Sequence, residues 1–176
     1  RLTLKWKPAD TLVLRGDADY RVQRSRYVIV VDESDGESRI ETTGAGATAT
    51  WTAWEPVDLQ ASYAYQNVNS GADSVFYFNF EPQYDRAVFD GDSHTGSLGA
   101  LFRAAPKLRF NFDAVLVSTG GDYTYQLLDF RVGTAYDLSS DLTLSGEVRR
   151  ITFDESLRND NDYTTWVGLV AVTWRF

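Results

Sequence analysis

The chain has 176 residues, no cysteine, no methionine and a net charge of −8. Without cysteine there is no disulfide framework, thiolate metal site or haem-attachment pair, and the acid excess leaves no basic stripe to neutralise nucleic-acid phosphates. One domain is the default at this length. Mean hydropathy is −0.32, and no apolar run approaches the roughly 20 residues that a membrane helix needs.

Helical spacing is hard to find; period-two alternation, the mark of strands, recurs along the chain. Residues 1–7, with Lys5 and Trp6, lead into a short turn over residues 7–10 containing Pro8. From Leu12 onward one phase is Leu12, Leu14, Gly16, Ala18, Tyr20 and Val22, and the other is Val13, Arg15, Asp17, Asp19 and Arg21. A polar loop is expected over residues 32–38. Trp51 and Trp54 precede a second short turn over residues 55–58, after which Leu59, Ala61, Tyr63 and Tyr65 alternate with Gln60, Ser62, Ala64 and Gln66.

Residues 67–97 set the widest bounds of a long loop. Its aromatic stretch over residues 74–90, broken by Pro82, is expected as an external hairpin, with a fold into a lumen as the alternative. A third short turn over residues 104–107 leads to Leu108, Phe110, Phe112, Ala114 and Leu116 against Arg109, Asn111, Asp113 and Val115. Beyond a loop at 118–122, Leu128, Phe130, Val132, Thr134 and Tyr136 alternate with Asp129, Arg131, Gly133 and Ala135. The fourth short connection, 137–141, opens a strand with Leu142, Leu144, Gly146 and Val148 on one phase and Glu147 and Arg149 on the other. An acidic loop is expected over residues 154–162.

The last strand, residues 163–176, has Trp166, Gly168, Val170, Val172, Trp174 and Phe176 on one phase. Several runs reach the roughly 9–11 residues of a tilted membrane strand, where soluble strands cluster near five or six. Short and long connections alternate, and a Leu (Leu12, Leu59, Leu108, Leu142) starts the strand after each short one. Proline suits the short turns because it presets φ and offers no ladder donor. Trp6, Trp51, Trp54 and Trp174 sit near the short-turn ends and Trp166 near the other end. With Phe176 they read as aromatic girdles at two membrane interfaces.

An extended strand of this length, aromatic at its ends and terminating in Phe176, resembles the closing strand of a Gram-negative outer-membrane β-barrel. In that family the terminal aromatic strand is read by the barrel assembly machinery. The resemblance implies an all-β, antiparallel, up-and-down transmembrane barrel in the bacterial outer membrane. Short turns are then periplasmic and long loops extracellular, and the surroundings are outer-membrane lipid and lipopolysaccharide. Counting back from Phe176, four short turns pair eight strands and leave residues 1–7 on a ninth. Single-chain bacterial barrels use even numbers. The expectation is therefore a single barrel domain over 1–176 or, rather, the C-terminal portion of a larger even-numbered barrel, with a long extracellular loop or hairpin at 70–93. The missing initial Met and signal peptide are read in the same way.

With the apolar phase assigned to lipid, the lumen collects Lys5, Arg15, Asp17, Asp19, Arg21, Arg103, Arg109, Asp113, Asp129, Arg131, Glu147 and Arg149, with Gln60 and Asn111 among them. A narrow barrel would pair these charges into a plug; a wide one would line an aqueous channel with them. No catalytic residue is expected. His94, the sole histidine, is read as a loop residue, and the adjacent Ser93 would point to the opposite face. No Gly-x-Ser-x-Gly element occurs. The loop acids Asp32, Glu33, Asp35, Glu37, Asp154, Glu155, Asp160 and Asp162 lack calcium-loop spacing. They read as a solvated rim that could reach lipopolysaccharide phosphates through cations. Neither metal nor cofactor is expected. The functional expectation is a porin-like channel or structural sheath, with other subunits of a membrane complex as possible partners. Alternatives are the barrel subunit of a porin–cytochrome electron conduit, a small outer-membrane enzyme, and a soluble secreted β-sandwich binding module.

Overall fold

Period-two alternation carries nearly the whole chain into strands. The computed structural model describes residues 1–29, 34–78, 81–156 and 161–175. They form β1 (Leu2–Ala9), β2 (Leu12–Ile29), β3 (Ser34–Trp54), β4 (Val57–Phe78), β5 (Glu81–Ala105), β6 (Leu108–Gly121), β7 (Tyr125–Asp137), β8 (Leu142–Glu155) and β9 (Tyr163–Trp174). All nine lie in one sheet in sequence order, each antiparallel to the next. Among the described residues no ladder joins β1 to β9.

The connections at one end of the sheet are tight because the sequence there supplies turn formers. Register shifts at Trp6/Ala9, Thr52/Trp54 and Arg103/Ala105 mark bulges beside the first three turns. A bulge adds local twist, which lets long strands reverse within two residues. The fourth turn is closed by Leu138 and Ser139 amides donating to the Leu142 carbonyl at 2.8 and 3.2 Å. At the other end, Gly121 closes β6 with φ +89°, a region that costs an L side chain but not glycine. The Asp122 amide donates to the Asp90 carbonyl, and the Asp90 amide donates back to the Asp122 carboxylate, both at 2.9 Å.

The long polar segments differ from their sequence expectation. Within residues 67–97 the hairpin expected over 74–90 is part of a longer one, in which β4 and β5 are paired without a break from Asn67↔Asp92 to Phe78↔Glu81. Residues 34–38 belong to β3, residues 118–121 to β6, and residues 154–155 to β8. Polar residues on both phases were read as loop, but a ladder between two long strands satisfies the backbone whatever the side chains. Pro82 sits one residue inside β5, opposite Tyr77. Asp32, Glu33 and Asp160 of the acidic rim, and Phe176, lie outside the described residues.

Cross-strand partners share a face, so the register sorts every strand. One face carries Leu12, Trp51, Leu59, Ala100, Phe112, Val132, Val148 and Gly168, in successive partnership from β2 to β9. The apolar run on this face begins beside the tight turns. It stops where Arg24, Glu41, Asn67, Asp92, Ser118, Gln126, Arg150 and Thr164 take over. On β7 it spans Leu128 to Tyr136 and on β9 Trp166 to Trp174, each about 26 Å along the strand at roughly 3.3 Å per residue. Strands β2 to β5 extend well past this band, with residues 66–78 of β4 adding roughly 40 Å.

No hydrophobic side chain among the described residues is buried. The apolar face lies open, with Val170 77%, Trp174 71% and Leu98 61% exposed. A soluble domain buries such a face against a second layer. Here the sheet is a single layer, which excludes the β-sandwich alternative for the described residues.

Candidate functional site

The other face carries the charge. All twelve residues assigned to a lumen from the sequence fall on it by register: Lys5↔Arg15, Thr3↔Asp17, Asp19↔Gly44 and Arg21↔Thr42 at one side, Arg103↔Arg109, Gly99↔Asp113, Asp113↔Arg131, Asp129↔Ile151, Arg131↔Arg149 and Gly133↔Glu147 at the other. The two sides differ in how their charges are compensated.

On β7 and β8 the charges form a continuous chain, Arg149–Asp129–Arg131–Glu147. The Asp129 carboxylate accepts from Arg149 through both oxygens, Nε at 2.7 Å and Nη2 at 2.6 Å. Arg131 lies with Nη2 3.7 Å from Asp129 and Nε 3.5 Å from Glu147. Arg131 and Arg149 stand directly opposite each other, a like-charge pairing that destabilises a ladder unless an anion intervenes. Asp129, with its side chain 13% exposed, is that anion. The planar guanidinium fork matches a carboxylate with two parallel bonds, so the pair is rigid as well as neutral.

Near the tight turns the same logic repeats twice. Arg109 Nη2 meets Asp137 Oδ1 at 3.0 Å, and the Thr143 hydroxyl donates to the same oxygen at 2.7 Å. Arg103 pairs with Asp58, which also accepts from the Thr52 hydroxyl at 2.9 Å. Asp58, Asp137, Thr52 and Thr143 were absent from the sequence-derived set. Their phase relative to the strand was obscured by the bulges and turns next to them.

On β1 and β2 the charges alternate along the strand and stay apart. Among the described residues no ion pair includes Lys5, Arg15, Asp17, Asp19 or Arg21, and none includes Asp113. Asp19 lies against Gly44, where an added Cβ would come within 2.9 Å of its Oδ1, and Asp17 faces Gly46. The glycines therefore leave room for the carboxylates to lie across β3.

Between the two sides runs a lane of small neutral groups on β3, β4 and β5: Thr48, Thr50, Ser62, Ala64, Thr95 and Ser97 among them. Ser62 and Ser97 share a 2.7 Å hydrogen bond. A cavity of about 320 Å³ opens over this region beside Asp17 and Asp19. Sequence reading recorded charges and missed the lane, although its signal was present in alternate Thr and Gly from Thr42 to Thr50. Strand β9 departs from the pattern, since Val167 and Leu169 make its charged-side face apolar.

The tryptophans Trp6, Trp51, Trp54, Trp166 and Trp174 take the apolar face through their partners Leu14, Leu12 and Leu59, Val57, Arg150 and Leu142. Phe102, Phe110 and Tyr136 join the row at the tight-turn end; the Phe102 and Phe110 rings stack at 6.4 Å. At the opposite margin the Arg150 guanidinium sits 5.7 Å from the Trp166 ring centre.

His94 is not in a loop. It lies in β5 on the apolar face at the band margin, with Nδ1 2.7 Å from the Tyr63 hydroxyl and Nε2 3.1 Å from Asp92. Its neighbour Ser93 faces the other side, opposite Gln66 and Thr119. At the β6–β7 connection, Tyr123, Tyr125, Phe153 and Tyr163 form a ring series with centroids 5.4–5.6 Å apart. The Tyr123 phenol is raised above its ordinary value, first by desolvation and then by the nearby Glu155 carboxylate.

No protein-family model matches the sequence, and no curated protein matches it. Among solved structures the chain is similar to the outer membrane channel DcaP of Acinetobacter baumannii, with a TM-score of 0.57 and 12% identity over 97% of this chain. The chain spans 61% of that channel's length. At this identity the likeness is one of fold. The nine-stranded antiparallel, up-and-down sheet has the fold of an outer-membrane β-barrel.

Proposed function

We propose that these residues form part of the wall of a porin-like channel or sheath in the bacterial outer membrane, with no catalytic chemistry of its own. The observation that carries this reading is the pairing of an open apolar face, with no buried hydrophobic side chain among the described residues, to an opposite face that carries the charge, ion-paired on β7 and β8 and unpaired on β1 and β2. Lipid covers the first face and water wets the second. Every backbone group inside the sheet is then satisfied by the ladder, as a hydrocarbon environment demands.

In this reading the twelve charged residues line the lumen, the tight turns are periplasmic, and the long β2–β3 and β4–β5 hairpins stand outside the cell. The neutral lane between the two charged sides sets the open width, because small side chains leave space where Arg and Glu would fill it. The fold of the DcaP channel supports the same assignment. The Tyr63–His94–Asp92 array lies on the lipid side, away from the lumen charges, and contains no activated nucleophile.

The test is planar-bilayer conductance of the complete protein, with detergent extraction and heat-modifiable gel migration as prior checks. Stepwise openings are expected, with a conductance altered by Arg15→Glu. A protein that partitions into buffer without detergent, or never opens at any voltage, overturns the channel reading.

A further inference from the structure

On the charged face, among the described residues, three pairs of cations stand directly opposite each other across a ladder: Lys5↔Arg15, Arg103↔Arg109 and Arg131↔Arg149. Like charges in that position raise the energy of a sheet unless an anion lies beside them. Two of the three pairs find their anions within the chain. Asp58 meets Arg103, Asp137 meets Arg109, and Asp129 lies between Arg131 and Arg149. The third pair has none: no ion pair among the described residues includes Lys5 or Arg15, and both residues are exposed.

Both of these cations line one open cavity of about 550 Å³, with Thr3, Thr48, Thr50 and Gln60 beside them. The hydroxyls and the Gln60 amide donate hydrogen bonds and bring no negative charge. The nearest carboxylate along β2, Asp17, is two residues from Arg15 and turned toward β3, with Oδ1 3.5 Å from where a Gly46 Cβ would stand. Farther along β2, Asp19 and Arg21 offset each other in sign. Lys5, Arg15 and Asp17 taken together leave a single positive charge without a counter-charge.

We propose that Lys5 and Arg15 form a subsite in the lumen wall for the carboxylate of a permeating monoanionic solute. The Arg15 guanidinium offers a fork that matches two carboxylate oxygens, and the Lys5 ammonium adds a point charge from the facing strand. A carboxylate supplies the one charge that is missing. A phosphate monoester, charged about −1.5 to −2 at pH 7, would set its excess against Asp17. The subsite rests on the reading of this face as the lumen.

The experiment uses the complete protein in detergent at low chloride and follows lactate binding by saturation-transfer NMR. Lactamide serves as the neutral counterpart and glycerol phosphate as the competitor. Wild-type protein is expected to hold lactate at least tenfold more tightly than lactamide. Arg15→Gln should weaken lactate several-fold, and the Lys5→Gln/Arg15→Gln variant by tenfold or more; neither residue holds an ion pair whose loss could unfold the sheet. Asp17→Asn should tighten lactate several-fold. Arg24→Gln, on the opposite face where Arg24 stands across from Arg39, should change nothing. Equal binding of lactate and lactamide, or unchanged affinity in the double variant, overturns the proposal. Displacement of lactate by glycerol phosphate at tenfold lower concentration overturns it in favour of a phosphate site. Bilayer recordings separate this subsite from the channel reading: lactate should reduce the single-channel current of the wild type and not of the double variant. Openings that lactate leaves unchanged refute only the subsite. A protein that never opens refutes the channel reading, and the NMR titration then decides the subsite alone.

Discussion

Replacing Val132 with arginine separates a membrane wall from any water-facing sheet. Val132 lies on β7 between Phe112 and Val148 on the apolar face, four residues from both Leu128 and Tyr136. At about 3.3 Å per residue it stands roughly 13 Å along the strand from each margin, near the middle of the band. Its side chain is 42% exposed, so arginine meets no steric wall. In water, such a substitution at an exposed position shifts stability by about 0.5 kcal/mol or less. At the midplane of a bilayer the same change costs about 2–4 kcal/mol, falling to about 0–1 kcal/mol near the interfaces. The measurement is urea unfolding of the complete protein in lipid vesicles, followed by tryptophan fluorescence, for Leu128→Arg, Val132→Arg and Tyr136→Arg. A cost that peaks at Val132 is expected. A flat profile, or a Val132→Arg cost below about 0.5 kcal/mol, refutes the assignment of this face to lipid.

Three further outcomes test the charged face and the loops. Asp129→Asn should destabilise by about 1–3 kcal/mol, between the values for exposed and buried pairs, because it leaves Arg131 and Arg149 face to face. In a double-mutant cycle with Arg149→Gln the coupling should exceed about 0.5 kcal/mol, and strict additivity would show that the pair does not matter. Gly121→Ala should cost about 1–3 kcal/mol, since φ +89° disfavours a Cβ and the Asp90 carbonyl occupies its place; unchanged unfolding would contradict the turn geometry. The Tyr123 phenol should titrate above its ordinary value of 10.0, so its neutral form supports the folded state below that pH. That support is lost as pH rises through the elevated value. In Glu155→Gln the phenolate absorbance change assigned to Tyr123, by difference from Tyr123→Phe, should move to lower pH.

Much of the architecture was legible because a strand writes its two faces into alternate residues. The phases of Leu12 to Val22, Leu108 to Leu116 and Leu128 to Tyr136 identified strands and assigned the charged residues to one side. Over residues 67–97 a hairpin at 74–90 was expected, but the continuation of its ladder through the flanking polar residues was not legible. A ladder that rises beyond the apolar band has no reason to keep one phase apolar, so periodicity fades while the backbone pairing continues. His94 was misplaced for the same reason: its polar surroundings resemble a loop, and only the pairing with Tyr65 and Ser118 puts it in a strand.

The sequence by itself determined the strand class, the face of each spanning segment and the alternation of tight and long connections, because these depend on residues near one another in the chain. It also determined that no cysteine chemistry is available. Tertiary structure decided which charges neutralise each other. Asp129 meets Arg149 because strands β7 and β8 align Arg131 with Arg149, and a shift of one residue would turn every one of these side chains to the other face. It likewise decided that Arg24 and Arg39 confront each other above the apolar band. Register is a relation between strands, and no single strand encodes it.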